Sequence, residues 1–520
     1  MVGVTIRNSS SQLVFQRDGK ILVTPGENRP VVAASVRLCA QLEAITAGSY
    51  LFNISQVALW GSAARGQSAS DILDRLGAHA AMPIPAPVAG RIAAAHARYG
   101  AIWLERDKRG DTRIYARDPA ILSEAAIQNG ARLSRREVGA AKRRLAATGW
   151  PVVERGARAS PDGVSIELGP TTKLRGYQAA AVAAHEAAGN GLVLLPCGAG
   201  KTMVGVGAIC ASATSTLILT PAREIALQWE RALTDMTTVD PGEIALLPAE
   251  LPGPITIATY QSASRGRIGS ALAAVPWGLV IYDEVQSLPA DVFRTVSAIS
   301  ADRRLGLSAT LVREDGREAD VFAMVGPVVY DVPWIELERE GWIAPARCYE
   351  VRIPEAADGR ARARFKHAVI ERILDAQSGR PALVVGSNVQ ALTAVARRFE
   401  LPLLTGRDGP GRREEVFECF RSGAISRLAV SRIGSTGLDL PSAEVMIQVN
   451  GNFGSRQEEA QRLGRLLRPG SGEAVDFYTL VSLGTREPEY ARKRQRFLVD
   501  QGYEYQILDA AELPRVSRTR

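Results

Sequence analysis

Lysine is scarce in this chain. It occupies seven positions (Lys20, Lys108, Lys142, Lys173, Lys201, Lys366 and Lys493), leaving 56 arginines among the 63 basic residues in a length of 520. Two causes produce such a ratio. One is GC-rich coding, which the abundant alanine fits; the other is the match of the guanidinium fork to phosphate. Composition alone does not separate them. Cysteine is also sparse, at five positions (Cys39, Cys197, Cys210, Cys348, Cys419) with no C-x-x-C pair. That excludes an iron–sulfur cluster or zinc ribbon, and a disulfide framework makes no sense at this size. The four histidines (His79, His96, His185, His367) form no H-E-x-x-H or comparable ligand cluster. No apolar run approaches the roughly 20 residues that span a bilayer. The opening Met-Val-Gly-Val-Thr-Ile-Arg gives way at once to polar residues, which is not a signal-peptide layout. These absences lead us to expect a soluble, cytoplasmic protein with no membrane partner.

What is present is ordinary globular composition, with 46% hydrophobic and 23% charged residues. At roughly 100–200 residues per domain the length predicts about three domains. The formal charge of +8 permits a nucleic-acid partner, but spread over 520 residues it does not specify one.

Residues 1–170 read as small α/β or winged pieces forming an accessory module. Pro87 to Tyr99 has helical character and leads into a predicted hairpin, Ala101–Leu104 and Arg113–Ala116, around the basic turn Arg106-Asp-Lys-Arg-Gly-Asp111. Such a turn serves either as a wing on DNA phosphates or as a solvated tip. Ser134-Arg-Arg-Glu137 is a capping box opening a helix with Arg136, Lys142, Arg143 and Arg144, a face that charge alone would leave in water.

From about residue 171 the texture changes. Apolar runs at 191–195, 216–220 and 278–282, then at 382–386 and 445–449, alternate with helical stretches. Continuous rather than alternating apolar runs suit parallel strands buried on both faces. Two consecutive series predict two doubly wound α/β lobes, placed at 171–343 and 344–520.

Leu195-Pro-Cys-Gly-Ala-Gly-Lys-Thr202 follows the first of these strands and precedes a helical run. Glycines such as Gly198 and Gly200 let backbone amides close around phosphates, and the helix N-terminus adds partial positive charge. Lys201 reaches the β- and γ-phosphates of ATP and the Thr202 hydroxyl is placed to ligate Mg²⁺. Leu195 stands where the strict pattern has its first glycine. Asp283-Glu284, at the end of another apolar strand, supplies the missing carboxylates: Asp283 for Mg²⁺ and Glu284 to polarise the attacking water. In the second series Ser455 and Glu458 form a capping box, and Gln461, Arg465 and Arg468 share one helical face. Alone these three would be solvated; opposite a phosphate site, Arg465 and Arg468 act as arginine fingers.

Taken together, these stretches resemble the superfamily 2 helicases of the XPB type, closest to the bacterial members. The match runs through Leu174-Arg-Gly-Tyr-Gln178, the 195–202 loop, Thr220-Pro-Ala-Arg223, Ala258-Thr-Tyr-Gln261 and Trp277 to Val285. It continues through Leu307 to Asp315, Ser431 to Pro441 and Gln461 to Pro469, with a fainter similarity around Val57–Trp60 and Ala97–Gly100. The resemblance implies two tandem RecA-like lobes and further roles. Arg175 and Gln178 would contact adenine, and Thr220, Arg223, Thr259 and Gln261 would line the DNA track. Ser308 and Thr310 would couple hydrolysis to movement, beside the signature Arg313-Glu314-Asp315. Gly437 and Asp439 would bridge nucleotide and nucleic acid.

The implied activity is a DNA-dependent ATPase moving 3′ to 5′ on single-stranded or forked duplex DNA, in repair or transcription-linked opening, with a nuclease or repair partner. Two alternatives are an ATP-driven DNA-binding switch without processive unwinding, and an RNA helicase or restriction-type translocase subunit. Three departures stand out: Gln286 in place of the His that usually ends the Asp-Glu-x-His box, Ser308 where Thr is frequent, and a short stretch from Val351 to Pro381. There the relatives carry a thumb-like insertion, and this chain keeps Arg360, Arg362, Arg364 and Lys366 as a small basic patch.

Overall fold

The apolar runs become strands because their side chains have a core on both faces. In the computed structural model, the described residues are 10, 12–16, 18–46, 49–107, 111–156, 163–196, 198–248, 251–288, 292, 295–296, 299–311, 316–431, 443–450, 464 and 474–513. They divide into two compact units: Met1–Leu195 with Gly200–Asp331, and Val332–Arg520 with Pro196–Ala199. Each unit is built around one seven-stranded sheet.

The first unit begins with two small sheets. Strands β1 (Leu13–Phe15), β2 (Ile21–Val23), β3 (Ala40–Thr46) and β4 (Ser49–Ile54) form an antiparallel sheet in the order β1-β2-β4-β3. The second contains β5 (Ile102–Arg106), β6 (Thr112–Ala116), β7 (Arg132–Leu133) and β8 (Val152–Gly156), in the order β7-β6-β5-β8. The predicted helix is present as Ala86–Ala97, and the predicted hairpin as β5 and β6, paired from Ile102↔Ala116 to Arg106↔Thr112. The tip residues 108–110 lie outside the described residues. β8 adds to β5 in parallel, which puts the hairpin in the middle of a mixed sheet.

The helix Arg135–Ala147 packs on that sheet. Its capping box forms as expected: Ser134 Oγ accepts from the Glu137 amide at 3.4 Å, and Glu137 Oε2 accepts from the Ser134 amide at 2.7 Å. The expectation of a solvated basic face fails at Lys142. It is buried, and its Nζ donates to Glu154 Oε1 at 2.8 Å. Glu154 also receives Arg304 at 3.2 Å and Asn190 Nδ2 at 3.2 Å, both from the seven-stranded sheet. Burial by itself raises the Glu154 carboxyl, but the Lys142 and Arg304 charges and the hydrogen bonds outweigh it, leaving it lowered to about 2. Arg106 pairs with Asp302, Trp60 meets Phe322 edge-on at 5.1 Å, and Arg65 donates to the Val328 carbonyl at 2.9 Å. The N-terminal sheets are thereby fastened to the first large sheet.

That sheet holds β9 (Asn190–Leu194), β10 (Thr216–Thr220), β11 (Ile244–Leu246), β12 (Ile255–Thr259), β13 (Trp277–Asp283), β14 (Ala301–Ser308) and β15 (Val328–Asp331). Its order is β11-β12-β10-β13-β14-β9-β15, with every pairing parallel. Every residue of the central β10 and β13 is buried, which is why their sequences show no polar alternation.

The second unit repeats the plan. Strands β16 (Ala346–Ile353), β17 (Ala382–Val385), β18 (Leu403–Leu404), β19 (Arg427–Val430), β20 (Val445–Gln448), β21 (Val475–Ser482) and β22 (Tyr505–Asp509) run parallel in the order β18-β19-β17-β20-β21-β16-β22. The boundary at Asp331/Val332 lies before the expected 343/344 because Trp334 belongs to the second core. Its ring is fully buried 5.3 Å from that of Phe497. The Val351–Pro381 stretch is the end of β16 followed by the helix Gly359–Ala376, which buries Val369, Ile370, Ile373 and Leu374. Arg360 and Arg364 of the expected basic patch are exposed. Lys366 is not part of it: it is buried, donating to the Val449 carbonyl at 2.8 Å and to both Glu487 oxygens at 2.9 and 3.0 Å.

Candidate nucleotide site and nucleic-acid edge

Strand order does the assembly. The sequence β12-β10-β13-β14-β9 sets five strand ends in a row, so that Thr259, Thr220, Asp283, Ser308 and the phosphate loop all emerge at the C-terminal edge of one sheet. The register is direct: Thr220 lies opposite Thr259, Leu219 opposite Tyr282, Asp283 opposite Leu307 and Ser308 opposite Leu194. In open parallel sheets ligands bind at this edge.

The loop after β9 turns on two glycines in left-handed backbone, Gly198 at φ +84° and Gly200 at φ +76°. Gly200 is held to glycine twice over, since a β-carbon there would stand 2.5 Å from Gln178 Nε2. Gln178 is itself buried and fixed, its Oε1 accepting the Arg175 amide at 2.9 Å. The two residues expected at adenine are therefore beside the loop, with Arg175 donating to the Tyr177 hydroxyl at 3.2 Å. The helix Lys201–Ser212 starts directly after Gly200, which sets its N-terminus, with Lys201 and Thr202, at the edge.

Lys201 Nζ lies 3.4 Å from Glu284 Oε1. Glu284 has φ +49°, an uncommon conformation for a non-glycine residue and one that functional sites tend to hold. Its neighbour Asp283 is buried at the strand end. Trp229 Nε1 donates to Asp283 Oδ2 at 2.8 Å, and the Tyr260 hydroxyl donates to the Asp283 carbonyl at 2.7 Å. Burial, then the charge of Glu284, pushes the Asp283 carboxyl up to about 6. Two adjoining carboxylates, one of them desolvated, are the electrostatic setting a divalent cation relieves. Among the described residues no group of three or more His, Cys, Asp or Glu could cage a metal.

Gln286, the departure from the expected His, is buried between two motifs. Its Nε2 donates to Glu284 Oε2, and its Oε1 accepts from the Ser308 hydroxyl. Ser308 Oγ in turn accepts the Thr310 amide at 3.0 Å. A continuous chain of hydrogen bonds thus joins Glu284 to the Ser308–Thr310 turn.

On the nucleic-acid side, Arg223 and Gln261 are exposed. Thr220 is buried, with its hydroxyl donating to the Ala222 carbonyl at 3.1 Å, so its side chain shapes the turn. Thr259 caps the short helix Tyr260–Ala263, its Oγ1 accepting the Ser262 amide at 3.2 Å. Arg313, Glu314, Asp315, Gly437, Asp439, Gln461, Arg465 and Arg468 lie outside the described residues. Trp229 and Tyr260 were not singled out in the sequence. The available signal was a Trp on the buried stripe of a helix, whose N–H needs a partner. No helix among the described residues is long and apolar enough to cross a membrane.

Two parallel seven-stranded sheets, the first edged by a phosphate loop and an Asp-Glu pair, define the helicase class of P-loop proteins. The model described as ERCC3/RAD25/XPB C-terminal helicase matches residues 369–518. The type III restriction enzyme, res subunit, matches 171–313, and a helicase conserved C-terminal domain matches 13–137. The DNA 3′-5′ helicase XPB of Kineococcus radiotolerans is 38% identical, covering 96% of this chain and 97% of its own. Its namesake from Mycobacterium tuberculosis is 37% identical, over 96% and 98%. The chain belongs to the XPB family of helicases. Among solved structures, the ATP-dependent Type ISP restriction-modification enzyme LlaBIII bound to DNA aligns at a TM-score of 0.52 and 13% identity, over 67% of this chain and 32% of that one, a likeness of fold alone.

Proposed function

We propose that this chain is an ATP-driven DNA motor that translocates 3′ to 5′ and opens duplex DNA in repair or transcription-linked processes. The observation that carries the reading is the row of strand ends, where the phosphate loop, Asp283-Glu284 and Ser308 are neighbours of Thr220 and Thr259. In this reading the amides around Gly198 and Gly200, with Lys201 and Thr202, hold the phosphates of ATP, and Arg175 and Gln178 hold its base. Thr202 and Asp283 hold Mg²⁺, which neutralises phosphate charge. Glu284 accepts the proton of the attacking water and Lys201 offsets charge on the phosphates. Gln461, Arg465 and Arg468 complete the charge stabilisation, and Gly437 and Asp439 bridge nucleotide and DNA. Arg223, Gln261 and the turns shaped by Thr220 and Thr259 grip the backbone of single-stranded or forked DNA. Ser308, Thr310 and the Arg313-Glu314-Asp315 signature couple hydrolysis to that grip. The N-terminal sheets form an accessory module open to a repair partner.

ATP turnover should rise with single-stranded DNA, and Lys201→Ala or Glu284→Gln should lower it by about 10²-fold or more. Turnover indifferent to DNA and RNA alike would sink the reading. One observation favours a translocase without processive unwinding: the Val351–Pro381 stretch is a strand end and a helix packed on its own sheet. Robust displacement of a 3′-tailed strand would exclude that variant.

A further inference from the structure

Trp229 takes no part in the mechanism above, yet it touches two of its components and sits in the helix of a third. It lies in the helix Arg223–Met236, whose exposed N-terminal Arg223 is the residue assigned above to the DNA backbone and whose buried stripe is Ala226, Trp229 and Leu233. The ring is fully buried, and its single N–H is committed to Asp283 Oδ2 at 2.8 Å. Its far edge presses against the helix of the phosphate loop: a β-carbon on Gly205 would lie 2.2 Å from the indole. Only glycine leaves room for that approach.

A tryptophan buried for its apolar area needs no more than a backbone carbonyl for its N–H. Trp277 is such a case, donating to Leu272 O at 2.9 Å. Trp229 instead makes a charge-assisted bond to the strand-end carboxylate, 54 residues away in sequence. The indole is rigid and close-packed on both sides, so a shift of its helix moves the donor nitrogen and the carboxylate together.

We propose that Trp229 is a positioning residue that transmits displacement of the DNA-facing helix Arg223–Met236 to Asp283 and the phosphate-loop helix, so that DNA binding sets the geometry of the nucleotide site. This rests on the reading of the chain as a DNA-dependent ATPase. The physical warrant is one buried side chain that ties the helix carrying Arg223 to Asp283 and to the phosphate-loop helix.

The test uses the full chain labelled with fluorinated tryptophan and the variant Trp229→Phe, which keeps an aromatic ring and removes the donor. The variant identifies the Trp229 fluorine resonance among seven. That resonance should shift when oligo(dT) binds, and separately when MgADP binds. The variant should bind oligo(dT) like the parent by anisotropy, yet lose about fivefold or more of the DNA stimulation of ATP turnover. A resonance unmoved by oligo(dT) that anisotropy shows to be bound overturns the proposal, as does a stimulation ratio retained in Trp229→Phe. If that variant does not fold, Trp229→Tyr identifies the resonance and the parent's response decides alone. A parent protein that binds oligo(dT) but shows no stimulation overturns the DNA-dependent reading, and the coupling with it.

Discussion

Gln286 and Asp283 show how single side chains set the behaviour of the edge. Gln286 donates to Glu284 and accepts from Ser308, so Gln286→Leu removes that link while Glu284 keeps Lys201 and the Ser308 hydroxyl keeps the Thr310 carbonyl. Strand displacement on a 3′-tailed duplex should fall more than ATP turnover, because Glu284 keeps Lys201 while the Ser308–Thr310 turn loses its link. Equal loss of both rates would mean that Gln286 only orients Glu284. For Asp283, a carboxyl raised to about 6 holds a proton below that pH, and Mg²⁺ must then displace it. Half-saturating Mg²⁺ in nucleotide binding should therefore climb between pH 7.5 and 5.5, approaching about tenfold per unit on the acid side. A flat profile would place the shifted proton elsewhere. The phosphate loop and the Asp-Glu pair were legible in the sequence because each is a local string after an apolar run. The Trp229–Asp283 and Gln286–Ser308 bonds were not, because they join residues 54 and 22 positions apart whose meeting depends on strand order.

Between elements, the approach of two helices in the first unit hangs on Gly205. Alanine is favoured over glycine inside a helix by about 1 kcal/mol, so propensity alone makes Gly205→Ala stabilising. Against that, the new β-carbon would lie 2.2 Å from an indole that is itself fully buried, and overpacking of that kind costs about 1–3 kcal/mol. The overlap is severe and neither side yields freely, so packing should win. Thermal melting should drop by a few degrees, and DNA stimulation should fall as in Trp229→Phe; a melting point raised by the substitution would show that the helices have room. In the second unit Asp476 is fully buried between Arg347, which binds it at 2.7 and 2.8 Å, and Arg380. Asp476→Ala removes the carboxylate the two share, but Arg347 is half exposed and Arg380 keeps Glu444 at 3.0 Å, so it should destabilise that unit by about 1–3 kcal/mol, seen as a lowered melting transition with the first unit's retained. The strands themselves were readable, since runs buried on both faces carry their own pattern. The hairpin's place in a four-stranded sheet was not readable, because β8 pairs with β5 only after a helix has intervened. Lys142 and Lys366 were misread as surface charge because a helical face shows its charges in sequence but not the carboxylates, Glu154 and Glu487, that come to meet them.

Across the first unit as a whole, Glu154 is a hub of the polar bonds that join the N-terminal sheets to the first large sheet among the described residues. Its carboxylate gathers Lys142 from the helix Arg135–Ala147, Arg304 from β14 and Asn190 from β9. Its carboxyl is lowered from 4.5 to about 2, so the sign of the pH effect is fixed. The contribution is complete above the ordinary carboxylate value, and it drains away as pH falls from about 4.5 toward 2 and the folded-state carboxyl is finally protonated. A displacement of that size corresponds to about 3–4 kcal/mol, an upper figure for a partly buried group beside two cations. Glu154→Gln keeps the shape and removes the charge. At pH 7 it should lower the melting transition of the first unit and leave that of the second in place. On acidification to about pH 3 the gap between parent and variant should narrow, closing only toward pH 2, where the parent's own carboxyl is protonated. Calorimetric scans of both proteins at pH 7, 5 and 3 decide the matter. A gap that persists unchanged at pH 3 would mean that shape rather than charge joins the module to the motor sheet, and the two edge contacts, Arg106 with Asp302 and Trp60 with Phe322, would then be the anchors to remove next.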